Sequence, residues 1–397
     1  MEFSKFKKQA EAHQGEMVDI RRHLHRNPEL SYQEHETTSF IVEKLKELDI
    51  TVDQPLSTGC VGVLEGGKDS DKVIALRADI DALPITEEGK HKEEFLSDNP
   101  GIAHCCGHDA HTANMLGAVR LLSEVRDQIE GIVLFIFQPG EEKLPGGGRL
   151  LCETGYLQEK GVDVIYGLHS YPGLEPGQIA IRKGALMARP DEFAIELIGK
   201  GGHAASPHEA VDPIVMASQV ISQIQTIVSR SVNPTEPAVV TVGKINGGSA
   251  HNVIPAKVEM LGTVRTFAKE TADMIRDRIE AITKGVAEAS GGAYTFDFDY
   301  GYPAVINTEW AAENVMDTAD ELLGKQNVKL LDEPIMAGED FAFYQQEFPG
   351  AFFFLGSGRE ETGSTYSWHH PQYNIDEDCF ATGAALMASL VFQPIPE

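Results

Sequence analysis

Four continuous apolar runs, each too short for a helix, constrain this chain more than anything else in it. Val73-Ile74-Ala75-Leu76 leads into Arg77-Ala78-Asp79-Ile80-Asp81, and the run 132–137 leads into Gln138-Pro139-Gly140-Glu141-Glu142. The run 162–168 meets His169, and 352–355 precedes a loop carrying His369 and His370. A strand exposed on one face alternates apolar with polar residues; an unbroken apolar run implies burial on both faces. Such runs alternating with helical segments predict a parallel-rich sheet covered on both sides. Ligands of sheets of this kind sit beyond the carboxyl ends of the strands. Here each strand delivers acidic or imidazole residues to that same edge, which four independent coincidences would not produce.

The middle of the chain changes character. A strand at 192–197 leads to Gly199-Lys200-Gly201-Gly202-His203. Asp212-Pro213 then opens a helix whose Ile214, Ala217, Ile221, Ile224 and Val228 form one apolar stripe. Strands at 238–242 and 258–264, a helix at 271–289 and a strand at 294–298 complete the order βαββαβ, the split-βαβ or ferredoxin-like plan. The expected fold class is therefore α/β: a mixed, largely parallel sheet forms a catalytic domain from 1–186 and 303–397. A ferredoxin-like α+β domain, 187–302, is inserted into it. At the N-terminus, 4–27 reads as one amphipathic helix. Its Arg21, Arg22, His23 and His25, with Glu29 and Glu34 beyond, are expected on a solvated face; a helix at 36–48 follows.

Length and charge bound the function. A chain of 397 residues exceeds one typical core, so two domains are expected. A net charge of −28 argues against nucleic acid or an anionic membrane as partner. Five cysteines, an odd and low number without scaffold spacing, suggest a reducing compartment. The N-terminal Met-Glu-Phe-Ser-Lys-Phe-Lys-Lys is followed by no apolar h-region, and no run approaches the ~18 apolar residues of a membrane span. The expectation is a cytoplasmic enzyme.

The candidate chemistry centres on Ala103-His104-Cys105-Cys106-Gly107-His108-Asp109-Ala110-His111. A thiolate at Cys106 and an imidazole at His108 can both ligate a divalent transition metal. Two positions apart they cannot share a helix face, so the pair belongs on an irregular loop, with a helix beginning near Asp109. Glu141-Glu142 supplies two carboxylates at a strand end: one for metal, the other as the general base that metal-assisted hydrolysis requires. Taken singly, each element has a plain structural reading: buried cysteines, a solvated acidic turn, hydrogen-bonded core histidines. Together Cys106, His108, Glu142, His169 and His369 offer five donors, more than one tetrahedral ion uses, and a two-metal site accommodates them better.

With these motifs in hand the chain resembles the amidohydrolase branch of the aminoacylase and carboxypeptidase-like dinuclear metallopeptidase family. That branch contains hippurate hydrolases, N-acyl-amino-acid deacylases and auxin-conjugate hydrolases. The matching stretches are RRHLHRNPELSYQEHET (21–37), RADIDALPI (77–85), HCCGHDAHTANMLGA (104–118), QPGEE (138–142), GLH (167–169), GKGGHAASPHEAVDP (199–213), NVIP (252–255), GTVRTF (262–267), GEDF (338–341) and HHP (369–371). They span nearly the whole chain in order. The resemblance implies Cys106, His108, Glu142, His169 and His369 as ligands of two divalent ions, and Glu141 as the base that activates water. It implies His203 as oxyanion stabiliser, reaching the active site of the other subunit of a homodimer, or higher homo-oligomer, so that the insert acts as lid and dimerisation domain. Asn252 and Arg265 would hold the substrate carboxylate. Related peptidases carry His-x-Asp where this chain has Asp79-Ile80-Asp81, so Asp79 and Asp81 are expected behind the ligands rather than among them. His370 is the rival to His369; the spacing His-x-Pro favours His369.

The implied activity is hydrolysis of small N-acyl amino acids to a carboxylic acid and a free amino acid. Manganese is favoured by resemblance, with zinc, nickel or cobalt as alternatives; thiolate and imidazole donors suit zinc well. Rival readings are a dinuclear dipeptidase or aminopeptidase, and a metal-binding homologue without turnover. A nucleotide enzyme is excluded, since Gly146-Gly147-Gly148 lacks the Lys-Ser/Thr of a phosphate loop.

Overall fold

The computed structural model describes residues 3–396. The chain divides into two compact units, one from Met1–Leu186, Val305–Pro334 and Asp340–Glu397, the other from Met187–Ala304 and Ile335–Glu339.

The first unit is built on an eight-stranded sheet. Its strands run in the order Thr51–Asp53, Cys60–Glu65, Glu130–Gln138, Lys68–Asp79, Val164–Tyr171, Gly350–Gly356, Ile179–Ile181, Val328–Leu330. The four inner strands, from Glu130–Gln138 to Gly350–Gly356, are mutually parallel, and antiparallel pairings flank them on each side. The fold class is thus α/β with a mixed, largely parallel sheet. The apolar runs are these inner strands: Val133 to Phe137 and Phe352 to Leu355 are all buried. The third run extends further than its apolar stretch, so His169 and Ser170 lie within the strand. Its pairing with Lys68–Asp79 stops at Gly167, leaving the last part of that edge without a strand neighbour on that side.

The His108–Ser123 helix packs against the Lys68–Asp79 strand and against the helices Gln14–Arg26 and Phe380–Leu390. It is buried on nearly every face, which its Ala, Gly, Met and Leu content permits. Gly117 is the point of closest approach: a methyl there would collide with Met17 Sδ and press on Ala384.

The N-terminal expectation needs correction. Two helices, Ser4–Ala12 and Gln14–Arg26, replace the single one, with the break at His13. The charged cluster is not a solvated face either: Arg21, His25 and Glu34 are buried, and only His23 of the four basic residues is exposed. The reason is pairing. Arg21 Nε donates to Asp109 Oδ2 at 2.8 Å, and His25 Nδ1 lies 2.7 Å from the same oxygen. Glu34 accepts from Gly140 N–H and from the Thr58 hydroxyl, both at 2.8 Å. Buried charges require such partners.

The second unit has a four-stranded antiparallel sheet, ordered Val239–Gly247, Lys257–Thr266, Arg189–Ile198, Ala293–Asp299. Helices Pro213–Arg230 and Lys269–Ala289 cover one face, where Ile195, Leu197, Met260, Val220, Ile224, Ile275 and Ile279 form the core. Asp212 caps the first helix, accepting from Ile214 N–H at 2.9 Å, with Pro213 pre-set in the first turn. Residues 335–339, far along the chain, join this unit because Ala188 N–H donates to Ile335 O at 3.0 Å and Arg265 Nε to Met336 O at 3.2 Å. No sequence pattern marks that excursion.

Candidate metal centre

Gly107 takes φ of +102°, a conformation that an L side chain rarely adopts, and this turn lets the chain pass from Cys106 into the helix that begins at His108. Cys106 and His108 thereby face a common space from a loop and a helix start. Cys106 Sγ lies 3.4 Å from His169 Nε2. His108 Nε2 lies 3.7 Å from Asp79 Oδ2, 3.8 Å from Glu142 Oε1 and 4.0 Å from Glu141 Oε2. Glu142 Oε1 is 3.3 Å from His369 Nε2. Two groups share the thiol: Cys106, His108 and His169 have potential ligand atoms within 4.8 Å of one another, as do Cys106, Glu142 and His369. Glu141 belongs to neither thiol-sharing group but joins His108 and Glu142 in a third.

One atom tests whether these residues suit a metal. His108 Nε2 is buried with no hydrogen-bond partner, while its Nδ1 is held 3.2 Å from Asp81 Oδ1. A ring nitrogen so oriented, ringed by carboxylates beyond hydrogen-bonding reach, fits a cation, and carboxylate–imidazole support is the usual arrangement behind a ligand. The electrostatics agree. Burial opposes a charge on His108, but Asp79 and Asp81 carry its pKa up to about 10. Burial, with Glu142, Glu141 and Asp79 beside it, pushes the Cys106 thiol well above its ordinary range. A field that favours positive charge and penalises a bare thiolate accepts a divalent ion, which deprotonates a ligating thiol outright. His169 is held well below the ordinary imidazole value by burial and by His111, so it presents a neutral ring.

Asp81 organises the loop that carries both glutamates. Its carboxylate accepts from Glu141 N–H at 3.1 Å, Glu142 N–H at 3.0 Å and the Ser31 hydroxyl at 2.6 Å, besides its contact with His108. Burial raises its pKa, but the His108 contact and these donors hold it below the ordinary value. Asp79 turns to His111 Nδ1 at 2.6 Å and to Arg77 Nη1 at 2.7 Å. His369 takes φ of +65°, unusual for a non-glycine residue, and its N–H donates to Cys105 O at 2.8 Å. His370 instead stacks on Tyr366, ring centroids 4.5 Å apart, and its Nδ1 accepts from Gln372 N–H. It is His369 that meets Glu142.

In the other unit, the two-residue strands Gly202–His203 and Val253–Ile254 pair, so His203 and Asn252 are neighbours, both exposed. Arg265 lies near the far end of the Lys257–Thr266 strand, half-buried on Met336 O and Val264 O. From Lys257 to Arg265 extended chain covers roughly 26 Å. The unit therefore does not gather Asn252 and Arg265 at one point.

The residues that the sequence reading passed over are Ser31, His111, Ser170 and Trp368. For His111 a signal existed: it stands three positions after His108, on the same helix face.

A model of the family described as Peptidase family M20/M25/M40 matches residues 75–393. The chain belongs to that family. Among its M20-type relatives, the N-acetyl-L-cysteine deacetylase of Bacillus subtilis (strain 168) is 44% identical over 364 residues, 91% of this chain and 84% of that protein. The N-acyl-L-amino acid amidohydrolase of Geobacillus stearothermophilus is 46% identical over 293 residues, covering 74% of this chain and 78% of its own. The crystal structure of the Bacillus subtilis YXEP protein, described as a dinuclear metal-binding peptidase from the M20 family, superposes with a TM-score of 0.81 at 36% identity, covering 96% and 98% of the two chains. No helix among the described residues is long and apolar enough to cross a membrane.

Proposed function

We propose that this chain is a metal-dependent amidohydrolase that cleaves N-acyl amino acids to a carboxylic acid and a free amino acid. The observation that carries this reading is the pair of donor triads sharing Cys106, with Glu141 alongside. The names of the deacetylase and amidohydrolase relatives support the same reaction class. Cys106, His108, Glu142, His169 and His369 would hold two divalent ions, whose part is to acidify water and polarise the amide carbonyl. We take manganese as the resident ion on family resemblance; zinc, nickel and cobalt are the alternatives that elemental analysis of protein purified without added metal separates.

Glu141 takes the proton from water and delivers it to the leaving amine, a transfer its position against His108 and Glu142 suits. His203 stabilises the oxyanion, and Asn252 and Arg265 bind the substrate carboxylate. Because the insert exposes His203 and Asn252 and keeps Arg265 at the far end of its long strand, we read the first two as serving the active site of a partner subunit. The Val239–Gly247 strand supports a homodimer: it is an unpaired sheet edge bearing exposed Val239 and Ile245, and such edges invite pairing. The insert is read as a ferredoxin-like lid and dimerisation domain, since its first and third strands lie at the centre of the sheet. A cytoplasmic setting fits the five free cysteines.

A panel of N-acetyl and N-benzoyl amino acids assayed beside dipeptides tests the reading. Preference for the acyl substrates is expected, and preference for dipeptides would assign the chain to the peptidases. Glu141→Gln should lower kcat by about 10²–10⁴-fold with metal content unchanged; full activity in that variant contradicts the assignment.

A further inference from the structure

The His111 imidazole sits just beyond the place where the parallel ladder stops. Lys68–Asp79 pairs with Val164–Tyr171 only as far as Gly167, and past that point Ser170 N–H donates to His111 Nε2 at 2.9 Å instead. An amide can only donate, so Nε2 carries no proton and the ring is protonated at Nδ1, which donates to Asp79 Oδ1 at 2.6 Å. On the other side of the same residue, His169 Nδ1 donates to Ser170 O at 2.8 Å, and Trp368 Nε1 donates to that oxygen at 2.9 Å. A carbonyl can only accept, so the His169 proton is fixed at Nδ1 and its Nε2 lone pair faces Cys106 Sγ. The two imidazoles stand edge to face, centroids 4.5 Å apart, and both are buried. Arg77 anchors the start of the chain, bridging Asp79 and Asp340 at 2.7 Å each.

We propose that His111 is a positioning residue: held by Asp79, it fixes the Ser170 backbone at its N–H, and the carbonyl of the same residue, on the next peptide unit, sets the tautomer and aim of His169. The inference rests on the metal reading above and adds a second imidazole that supports a ligand without being one. Groups behind a metal ligand typically change affinity or activity by about 10–100-fold when removed, and the same size is expected here.

The test adds cobalt(II) to the metal-free protein and follows its visible absorption, its affinity in competition with a chelator, and the metal content. His111→Leu removes the acceptor for Ser170 N–H, while His111→Gln offers an amide oxygen in its place. Thermal unfolding monitors folding. Leucine should weaken one of the two ions by about 10–100-fold and alter the cobalt spectrum, and glutamine should restore much of both. His111→Phe, close to the imidazole in shape and likewise without an acceptor, should move the same two readouts in the same direction, and it decides the matter if the leucine variant does not fold; Asp79 is left in place because it also stands 3.7 Å from His108 Nε2. Parent-like affinity and spectrum in a folded His111→Leu, or in His111→Phe, overturn the proposal. A parent protein that binds fewer than two cobalt ions overturns the metal reading itself, so the two failures are distinguishable.

Discussion

Around Cys106 the polar side chains are buried and interlocked. Asp79, Asp81, His108, Asp109 and His111 are each 1% exposed or less, and each touches at least one other charged or imidazole group. In the inserted unit the residues with proposed roles are handled differently: His203, in a two-residue strand, and Asn252, just before another, stand exposed, away from the apolar core between sheet and helices. Pre-organisation explains the first case. Ligands must be held before the ion arrives, and a dry, fully bonded surround fixes their aim. Exposure fits the roles proposed for the second pair, since a side chain that is to meet a substrate must be accessible.

Three substitutions put the contrast to the test. The largest stability effect is expected from Arg21→Met. Asp109 would lose a fully buried partner, and breaking such a pair costs about 3–5 kcal/mol; chemical denaturation of the metal-loaded protein measures it. A loss under 1 kcal/mol would mean that the interlocked surround is not what holds the loop. His203→Ala should behave in the opposite way. Its exposed ring accepts from the Ala205 N–H, and its loss should change stability by within about 0.5 kcal/mol, yet lower kcat by about 10²–10³-fold as the loss of an oxyanion donor does. Unchanged turnover removes His203 from the mechanism. The smallest effect belongs to Asp212→Ala, which deletes the cap of the insert's first helix. About 1 kcal/mol should be lost, with metal content unaffected, and loss of metal there would show that the two regions are not independent.

Much of this was legible in the amino-acid order. Unbroken apolar runs identified the inner parallel strands, because burial on both faces leaves no room for alternation. The donors Cys106, His108, Glu142, His169 and His369 were legible as chemistry at strand and loop ends. What was not legible depended on partners distant in the chain. Arg21 and His25 look like a solvated helix face until Asp109 is seen between them; Glu34 looks like a loop acid until Gly140 and Thr58 meet it. Periodicity reports which face of a helix is apolar and is silent on a buried ion pair. The joining of 335–339 to the insert rests on the main-chain carbonyls of Ile335 and Met336, which any side chains at those positions would present. His111 was readable in principle from its spacing after His108, but its partner is the Ser170 peptide, and main-chain groups leave no mark in a sequence.

The most direct measurement is anomalous diffraction from crystals grown with manganese(II). The account predicts two peaks, both within ligating distance of Cys106, with His108 and His169 on one side and Glu142 and His369 on the other. A single ion, or ions bound away from these five side chains, would contradict it.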